Sequence, residues 1–152
     1  VRDVVAEVGH RRAEEGRGAE GCGCAVVVDD ERLLLVRRGH GPAAGSWAVP
    51  GGRVRPGETL AEAVTRELRE ETGIEGVCGA LVGVNEVLPD DDSPEHAVVL
   101  GYEVAILEST EPLAADDAAE ARWVDLGDVA DYRLSPGLAE FLHDHGIIAT
   151  IT

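Results

Sequence analysis

The run from Gly52 to Ile74 constrains this chain more than any other part of its sequence. A glycine turn leads into one short helix that carries three glutamates within five residues, Glu67, Glu70 and Glu71. Since a helix advances by roughly 100° per residue, Glu71 lies roughly 40° to one side of Glu67 and Glu70 roughly 60° to the other. Like charges on one face repel each other and do not stabilise a helix. A divalent cation bound through oxygen ligands would turn this repulsion into attraction.

The apolar positions of the same helix show which way the glutamates point. Three residues one turn apart form the stripe that is expected to face the core: Leu60, Val64 and Leu68. Glu67 and Glu71 fall inside or beside this stripe, whereas Glu62 and Arg69 fall on the solvent side. Burying an unpaired carboxylate costs several kcal/mol. The inward glutamates therefore need a metal, an arginine or a wet cleft, and Arg66 can supply one partner.

The sequence also marks where this helix begins and ends. Thr59 with Glu62 three residues later is a capping-box pattern, and Gly73 is a natural stop. Before the helix, Gly51 and Gly52 indicate a place where the backbone passes close to a phosphate or a metal. The alternative is an acidic, solvated helix after a glycine loop, but the inward glutamates and the double glycine favour a binding site.

This run resembles the Nudix hydrolase signature: a glycine, five residues, a glutamate, seven residues, then Arg-Glu-apolar-x-Glu-Glu-x-Gly-apolar. All specified positions are matched, by Gly52, Glu58, Arg66, Glu67, Leu68, Glu70, Glu71, Gly73 and Ile74. The preceding Trp-x-x-Pro-Gly-Gly, residues 47–52, is also typical of the family. The resemblance implies an α/β fold, with an α/β/α sandwich around a mixed β-sheet.

The resemblance further implies Mg²⁺- or Mn²⁺-dependent cleavage of the pyrophosphate linkage in a nucleoside diphosphate derivative. Carried over by position, the metal ligands are Glu67, Glu70 and Glu71, with a backbone carbonyl from Gly52 or Gly51. Glu58 and Arg66 are expected to form a pair that holds the loop against the helix, and they join Glu70 as candidate catalytic residues. A rival interpretation is a nucleotide-binding sensor without catalysis, but such relatives usually lose signature glutamates, and all are present here.

The general base of the family is often an acidic residue in a loop outside the signature. Five acidic residues are candidates here: Asp116, Asp117 and Glu120 before Trp123, with Glu86 and Asp90 in reserve. We favour Glu120 as the catalytic base because it lies nearest the predicted strand that carries Trp123.

The substrate is predicted from a residue downstream of the signature. A proline about 15 residues beyond it is typical of ADP-ribose pyrophosphatases, and Pro89 stands 15 residues after Ile74. We therefore expect ADP-ribose, cleaved to AMP and ribose 5-phosphate, with Arg37 and Gly51 as further substrate-binding candidates. A turn proline is also common in strand connections. The alternative substrates are oxidised or ordinary nucleoside triphosphates.

The composition of the chain limits the kinds of partner that it can bind. The 152 residues suit one domain, and 30 acidic against 13 basic residues give a net charge of −17, too negative to hold nucleic acid by its backbone. All the basic residues are arginine, which suggests a protein built for a salty cytoplasm or, alternatively, a GC-rich genome. No apolar run approaches 18 residues and no secretory segment is evident, so we expect no membrane span and a cytoplasmic location. The three cysteines are interpreted as small buried residues.

The order of elements follows from periodicity and turn residues. We expect an N-terminal helix and linker over residues 1–20, with the helix at 2–14 and a flexible link from Gly16 to Gly23, and the catalytic domain over 21–152. A homodimer contact through the N-terminal segment is left open. Strands are predicted at 22–28 and 33–37 as a hairpin, at 77–88 and 96–107 around the acidic loop 89–95, and at 121–124 after an acidic loop at 108–119. Asp125 and Ser135 are predicted N-caps of two closing helices, and His96 is predicted to be an exposed surface histidine.

Overall fold

The computed structural model describes residues 18–41 and 43–150. The predicted helix at 2–14 lies outside the described residues. The first strand begins at Glu20, so Gly21 and Gly23 belong to a β-strand. The prediction of a flexible link reaching Gly23 is therefore wrong over its last residues, because the neighbouring strands supply backbone partners that the local glycine content does not reveal.

The described residues form eight strands, two α-helices and one 3₁₀ helix. In chain order these are β1 Glu20–Val26, β2 Val28–Asp29, β3 Arg32–Arg38, β4 Trp47–Ala48, β5 Gly51–Arg53, α1 Leu60–Thr72, β6 Gly76–Val87, β7 Ala97–Ile106, β8 Ala118–Asp125, the 3₁₀ helix Leu126–Asp131 and α2 Leu138–Asp144. None of these helices is long and apolar enough to cross a membrane.

The strands make two four-stranded sheets. The first has the order β5-β1-β7-β6 and is mixed, because β1 runs parallel to β7 while the other pairs are antiparallel. In the second, β3 pairs with β8 along its length and with the short β2 and β4. The predicted hairpin of 22–28 with 33–37 is therefore wrong in part. The chain passes from the first sheet to the second at Val27, so β1 pairs in the first sheet and, of the predicted strand 22–28, only its end in β2 pairs with β3.

Two apolar cores account for this arrangement. Ala25 and Val27 pack with Val64 and Leu68 of α1, whereas Cys24 and Val26 pack in the core that includes α2. Successive residues of a strand point to opposite faces, so the run of five buried residues from Gly23 to Val27 serves both cores. The predicted α/β class, with helices packed around a mixed sheet, is confirmed.

Predicted and observed boundaries agree best for the long strands, in which the alternating pattern covers many residues. The strands predicted at 77–88 and 96–107 are found at Gly76–Val87 and Ala97–Ile106, whereas β8 begins three residues before the predicted strand at 121–124. Asp125 occupies the N-cap position of the 3₁₀ helix without a side-chain capping bond. Ser135 is not an N-cap: α2 begins after Gly137, and the Ser135 hydroxyl lies 3.3 Å from that of Ser46.

Candidate active site

Helix α1 presents the glutamate face, and its ends are fixed as the sequence predicts. The Thr59 hydroxyl accepts a hydrogen bond from the Glu62 N–H, and the Glu62 carboxylate accepts one from the Thr59 N–H, which completes the capping box. At the other end Gly73 adopts a left-handed conformation with φ 74°. Val64 and Leu68 are fully buried in the core, so the rotation of the helix about its axis, and with it the direction of each glutamate, is set by packing.

Arg66 contacts three of the carboxylates of the cluster. Its guanidinium is almost fully buried and donates two hydrogen bonds to Glu58, at 2.6 Å and 3.0 Å, and one to the Arg53 carbonyl at 3.0 Å. Its Nη1 also donates to Glu67 Oε1 at 2.8 Å and to Glu70 Oε2 at 3.1 Å. The hydrogen bond from Arg66 is the main reason why the pKa of Glu58 falls to about 2. The predicted Glu58–Arg66 pair is thus present, and it ties the preceding loop to α1.

Glu71 is the buried member of the cluster. Only 7% of the residue is exposed, and its Oε1 accepts a hydrogen bond of 2.8 Å from the Gly51 N–H. Burial raises the pKa of Glu71 to about 8, against the opposing effect of that hydrogen bond, and the negative charges of Glu67 and Asp117 add to the rise. In so buried a place the charged carboxylate is unfavourable without a partner, and a cation that replaced the proton would stabilise it.

The two glycines before the helix are required for different reasons. A Cβ on Gly51 would lie 2.6 Å from the Gly23 carbonyl oxygen and 2.7 Å from the Cβ of Cys24, so β1 packs directly on the backbone there. A Cβ on Gly52 would instead lie 2.6 Å from Glu67 Oε1. The backbone of Gly52 therefore passes within contact distance of a predicted metal ligand, as expected for a cradle around a cation.

The residues on this face suit a hard divalent cation. Glu67, Glu70 and Glu71 offer carboxylate oxygens, and the backbone of Gly52 passes beside Glu67, which gives the oxygen-only donors that Mg²⁺ and Mn²⁺ prefer. Among the described residues no three acidic, histidine or cysteine side chains converge on one point. Glu67 and Glu70 instead both accept hydrogen bonds from Arg66.

The candidate bases lie in different surroundings. Glu120 forms ion pairs with Arg122 and with Arg37, the latter at 3.5 Å, and the hydrogen bond from Arg122 lowers the pKa of Glu120. A lowered pKa makes a carboxylate a weaker proton acceptor. Asp117 instead lies close enough to Glu71 for its charge to act on that group.

The remaining acidic candidates differ in their local surroundings. Glu86 lies 2.8 Å from the His96 ring. Asp90 accepts hydrogen bonds from the backbone of Asp92 and Ser93 within the loop between β6 and β7. Asp116 adopts a left-handed conformation with φ 58°, at the end of the loop that precedes β8.

Pro89 forms part of the wall of a cavity and does not serve only as a turn residue. The cavity has a volume of about 640 Å³ and is bounded by Gly18, Ala19, Glu20, Pro89, Pro94, Glu95 and His96. Arg53, the residue after Gly52, pairs with Glu20 at 2.8 Å and with Glu95 at 3.6 Å. The cavity therefore borders the strand that carries the glycine cradle. His96, predicted to be a surface histidine, is half-buried here and bonded to Glu86.

Sequence reasoning missed several arginines that surround the carboxylates. Arg38 lies close enough to Glu71 for its charge to lower the pKa of that group, and Arg55 Nη2 lies 3.6 Å from Glu70 Oε1. The signal was present in the sequence: basic residues are scarce in this acidic chain, yet Arg37, Arg38, Arg53 and Arg55 flank the glycine turn. Arg38 and Arg55 offset part of the negative charge of these glutamates, which favours an anionic ligand.

Comparisons with known proteins agree with this geometry. A family model described as the NUDIX domain matches residues 20–145. An ADP-ribose pyrophosphatase of Methanocaldococcus jannaschii is 38% identical over 104 residues, which are 68% of this chain and 60% of that protein. A putative 8-oxo-dGTP diphosphatase of Bacillus subtilis is 42% identical over 65 residues, 43% of this chain and 42% of that protein. This chain thus covers less than two thirds of the length of either relative.

A solved structure matches over most of both chains. The crystal structure of a MutT NUDIX hydrolase from Burkholderia pseudomallei superposes with a TM-score of 0.72 at 30% identity and covers 84% of this chain and 98% of that one. The likeness therefore extends well beyond the glutamate-bearing run.

Proposed function

The chain belongs to the Nudix hydrolase family, and on that premise we propose that it hydrolyses the pyrophosphate linkage of a nucleoside diphosphate derivative with Mg²⁺ or Mn²⁺. The observation that carries the proposal is the partly buried glutamate face of α1, with Glu71 against Gly51 and Glu67 against Gly52. We assign Glu67, Glu70 and Glu71 as metal ligands, with the Gly52 carbonyl as a backbone ligand.

The cation and the surrounding residues are assigned different roles in the reaction. When bound, the cation polarises a phosphoryl oxygen and makes an adjacent water more acidic. Arg66 donates to Glu58, Glu67 and Glu70 and so keeps these three carboxylates close together. Gly51 donates its N–H to Glu71 and fixes that carboxylate. Arg37 we retain as a substrate-binding candidate, and Glu120, its ion-pair partner, as a candidate base whose role stays a prediction.

We propose ADP-ribose as the substrate, cleaved to AMP and ribose 5-phosphate. Two observations support this choice: the similarity to an archaeal ADP-ribose pyrophosphatase, and the cavity beside Pro89. The cavity is lined by Glu20, Glu95 and His96, whose acceptor atoms suit the hydroxyl groups of a ribose better than a phosphate. A hydroxyl-rich terminal group is what distinguishes ADP-ribose from a nucleoside triphosphate.

Nucleoside triphosphates are the second candidate, supported by the similarity to a putative 8-oxo-dGTP diphosphatase over the glutamate-bearing region. A sensor without catalysis is a third, but the complete carboxylate set and its hydrogen bonds argue against it. A cytoplasmic location, a homodimer and adaptation to salt stay predictions from the sequence.

The deciding experiment is a substrate panel with the pure protein and Mg²⁺: ADP-ribose, dinucleotides, sugar nucleotides and nucleoside triphosphates, oxidised forms included. We expect the highest kcat/KM for ADP-ribose, with AMP and ribose 5-phosphate as products. A triphosphate whose kcat/KM exceeds that of ADP-ribose by tenfold or more would overturn the substrate proposal. Tight nucleotide binding without any phosphate release, with metal present, would instead support the sensor.

A further inference from the structure

Helix α1 covers only part of the first sheet. Gly23 faces this helix, since a Cβ there would lie 2.9 Å from the Val64 side chain. Gly21, two residues earlier in β1, points to the same side of the sheet and is exposed. No atom of the described residues lies within 4 Å of the place where its Cβ would be. The cover that α1 gives to this side of the sheet therefore ends before Gly21.

The uncovered part of the sheet continues onto β7 and β6 and is apolar. Leu100 pairs with Gly23 on one side and with Val84 on the other, and Val98 pairs with Gly21. Paired residues of neighbouring strands point to the same side of a sheet. Val98 and Leu100 are half-buried, and Val84 is 54% exposed. Leu81, 49% exposed, pairs two residues further along β7 and completes a surface that we call the open face: Gly21, Leu81, Val84, Val98 and Leu100.

The open face extends to an edge strand without charge. Among the described residues β6 pairs only with β7, and residues 76–85 carry no charged side chain although 28% of the chain is charged. Edge strands are normally protected by charges, by irregularities or by a covering segment. Two register shifts around Leu81 interrupt the edge of β6, which opposes pairing with another strand but leaves the apolar face open. The open face therefore calls for a segment that packs on it.

The open face is separate from the glutamate face. Gly51 and Gly52, which contact Glu71 and Glu67, belong to β5. In the sheet, β5 lies on one side of β1, whereas β7 and β6 lie on the other. The glutamates and the open face thus lie on opposite flanks of β1. An uncharged apolar surface also offers no group that binds a phosphate, so its occupant is not the nucleotide.

The described chain enters the sheet at the margin of the open face. Gly18 lies beside Pro89, which follows β6, and the Glu20 N–H donates to the His96 carbonyl at 2.8 Å. Since neighbouring strands lie about 4.8 Å apart, β6 is roughly 10 Å from β1. Residues 1–17 could span up to roughly 55 Å when extended and about 25 Å as one helix. In either conformation this segment is long enough to reach all of the open face.

The composition of residues 1–17 suits this surface. Val4, Val5 and Val8 recur at the spacing of one helix face. Four arginines balance four carboxylates, so the segment is neutral while the rest of the chain carries the whole net charge of −17. A second copy of the chain would bring its own −17 to the contact and be repelled. The charged residues of the segment are Arg2, Arg11, Arg12 and Arg17 against Asp3, Glu7, Glu14 and Glu15.

We propose that residues 1–17 pack on the open face of the same molecule, with the three valines against Leu81 and Val84. The segment then lies beside α1, completes the layer on that side of the first sheet and covers the apolar side chains of an uncharged edge strand. This inference does not rest on the proposed function, because the open face contains none of the residues assigned to the glutamate site.

The contribution of the valines is tested by thermal unfolding of the full chain. Val4→Asp/Val8→Asp places two charges in the proposed contact and is expected to lower the thermal midpoint by about 4 °C or more. Ala6→Asp/Ala13→Asp is the matched control, since both positions lie on the opposite side of the predicted helix, and is expected to shift the midpoint by less than about 2 °C. Equal shifts in the two double variants would overturn the proposal.

The partner surface is tested by combining variants. Val84→Asp is expected to lower the midpoint of the wild type but to have little further effect in the Val4→Asp/Val8→Asp background, because the contact is already lost. Val77→Asp is the control: Val77 is 58% exposed on the same strand, but it pairs with Ala105 and points to the other side of the sheet. It should have the same effect in both backgrounds. Additive effects of Val84→Asp and the valine variant would contradict the contact.

Photo-crosslinking identifies the occupant directly. With p-benzoylphenylalanine in place of Val5, and a mixture of unlabelled and isotope-labelled protein, we expect cross-links from position 5 to peptides of β6 or β7 in the same copy. Cross-links between labelled and unlabelled copies would assign the open face to a second copy and overturn the proposal, as would cross-links to other elements alone or none at all. Neither experiment measures hydrolysis, so the inference and the proposed function can fail separately.

Discussion

At the scale of single residues, Gly51 and Gly52 are neighbours that the structure uses differently. We predict that Gly52→Ala weakens Mg²⁺ binding by at least about tenfold, because its Cβ would displace the Glu67 carboxylate. The thermal midpoint should change little, since a carboxylate at the end of a flexible side chain can move aside. Titration of Mg²⁺ by isothermal calorimetry measures the affinity.

Gly51→Ala is the matched control. Its Cβ would meet the backbone of Gly23 and Cys24, which cannot move without disturbing β1. We therefore expect this variant to lower the thermal midpoint substantially. A Gly52→Ala variant as unstable as Gly51→Ala, or one that binds Mg²⁺ as tightly as wild type, would contradict this prediction.

Glu71 gives a prediction about pH. Burial raises its pKa from the ordinary value of 4.5 to about 8, so between these values the folded protein binds a proton that the unfolded chain releases. The stabilisation by this proton is fully present below pH 4.5 and is lost as the pH rises through about 8. In metal-free protein we expect the free energy of unfolding to fall by a few kcal/mol over this window relative to Glu71→Gln. Urea unfolding in EDTA measures the free energy of unfolding of both proteins. If the difference between wild type and Glu71→Gln did not change with pH, the raised pKa of Glu71 would be contradicted.

At the scale of elements, α1 depends on its capping box. We predict that Thr59→Ala lowers the free energy of unfolding by about 1 kcal/mol, because the Glu62 N–H loses its acceptor. Glu62→Gln is the control, since glutamine can also accept from the Thr59 N–H. Urea denaturation of both variants decides the matter. Equal stability of Thr59→Ala and wild type would show that packing alone fixes the start of α1.

The elements that sequence reasoning found are those whose signals are local. The capping box, the glycine stop and the apolar stripe of α1 lie within one run, and the long strands β6 and β7 have enough residues to establish their periodicity. The short strands β4 and β5 were not predicted, because two or three residues carry no periodicity and Pro50 stands between them. Ser135 was predicted as a cap from its residue type, but it is the unusual backbone of Gly137 that begins α2.

The residues of the site also fall into those that could be predicted from local signals and those that could not. The glutamates, Arg66 and the glycines could be predicted because one helix and one turn bring them together. The contact of His40 with Asp117 joins residues 77 apart in sequence, through two loops whose paths depend on the pairing of β3 with β8. A contact of this kind could therefore not be predicted from the sequence. Pro89 was found by its spacing, but the cavity around it depends on Glu20 and His96, which only the sheet brings close.

At the scale of the whole molecule, the net charge of −17 opposes compaction through self-repulsion. If the chain is adapted to a salty cytoplasm, the thermal midpoint should rise steeply from low salt to molar KCl, beyond the range in which ordinary screening is complete. Differential scanning calorimetry across a KCl series measures this. A flat response above about 0.2 M would leave genome composition as the explanation of the arginine-only basic residues.

The glutamate face of α1 is proposed to bind the cation that drives hydrolysis. The most direct measurement compares turnover by wild type, Glu70→Gln and Glu71→Gln on the best substrate of the panel, over a range of Mg²⁺ concentrations. We predict that both variants fold, as circular dichroism would show, and that each loses at least about two orders of magnitude in kcat, because an amide keeps the shape but not the charge of a ligand. Undiminished turnover in both variants, or wild-type turnover that persists in EDTA, would contradict the account.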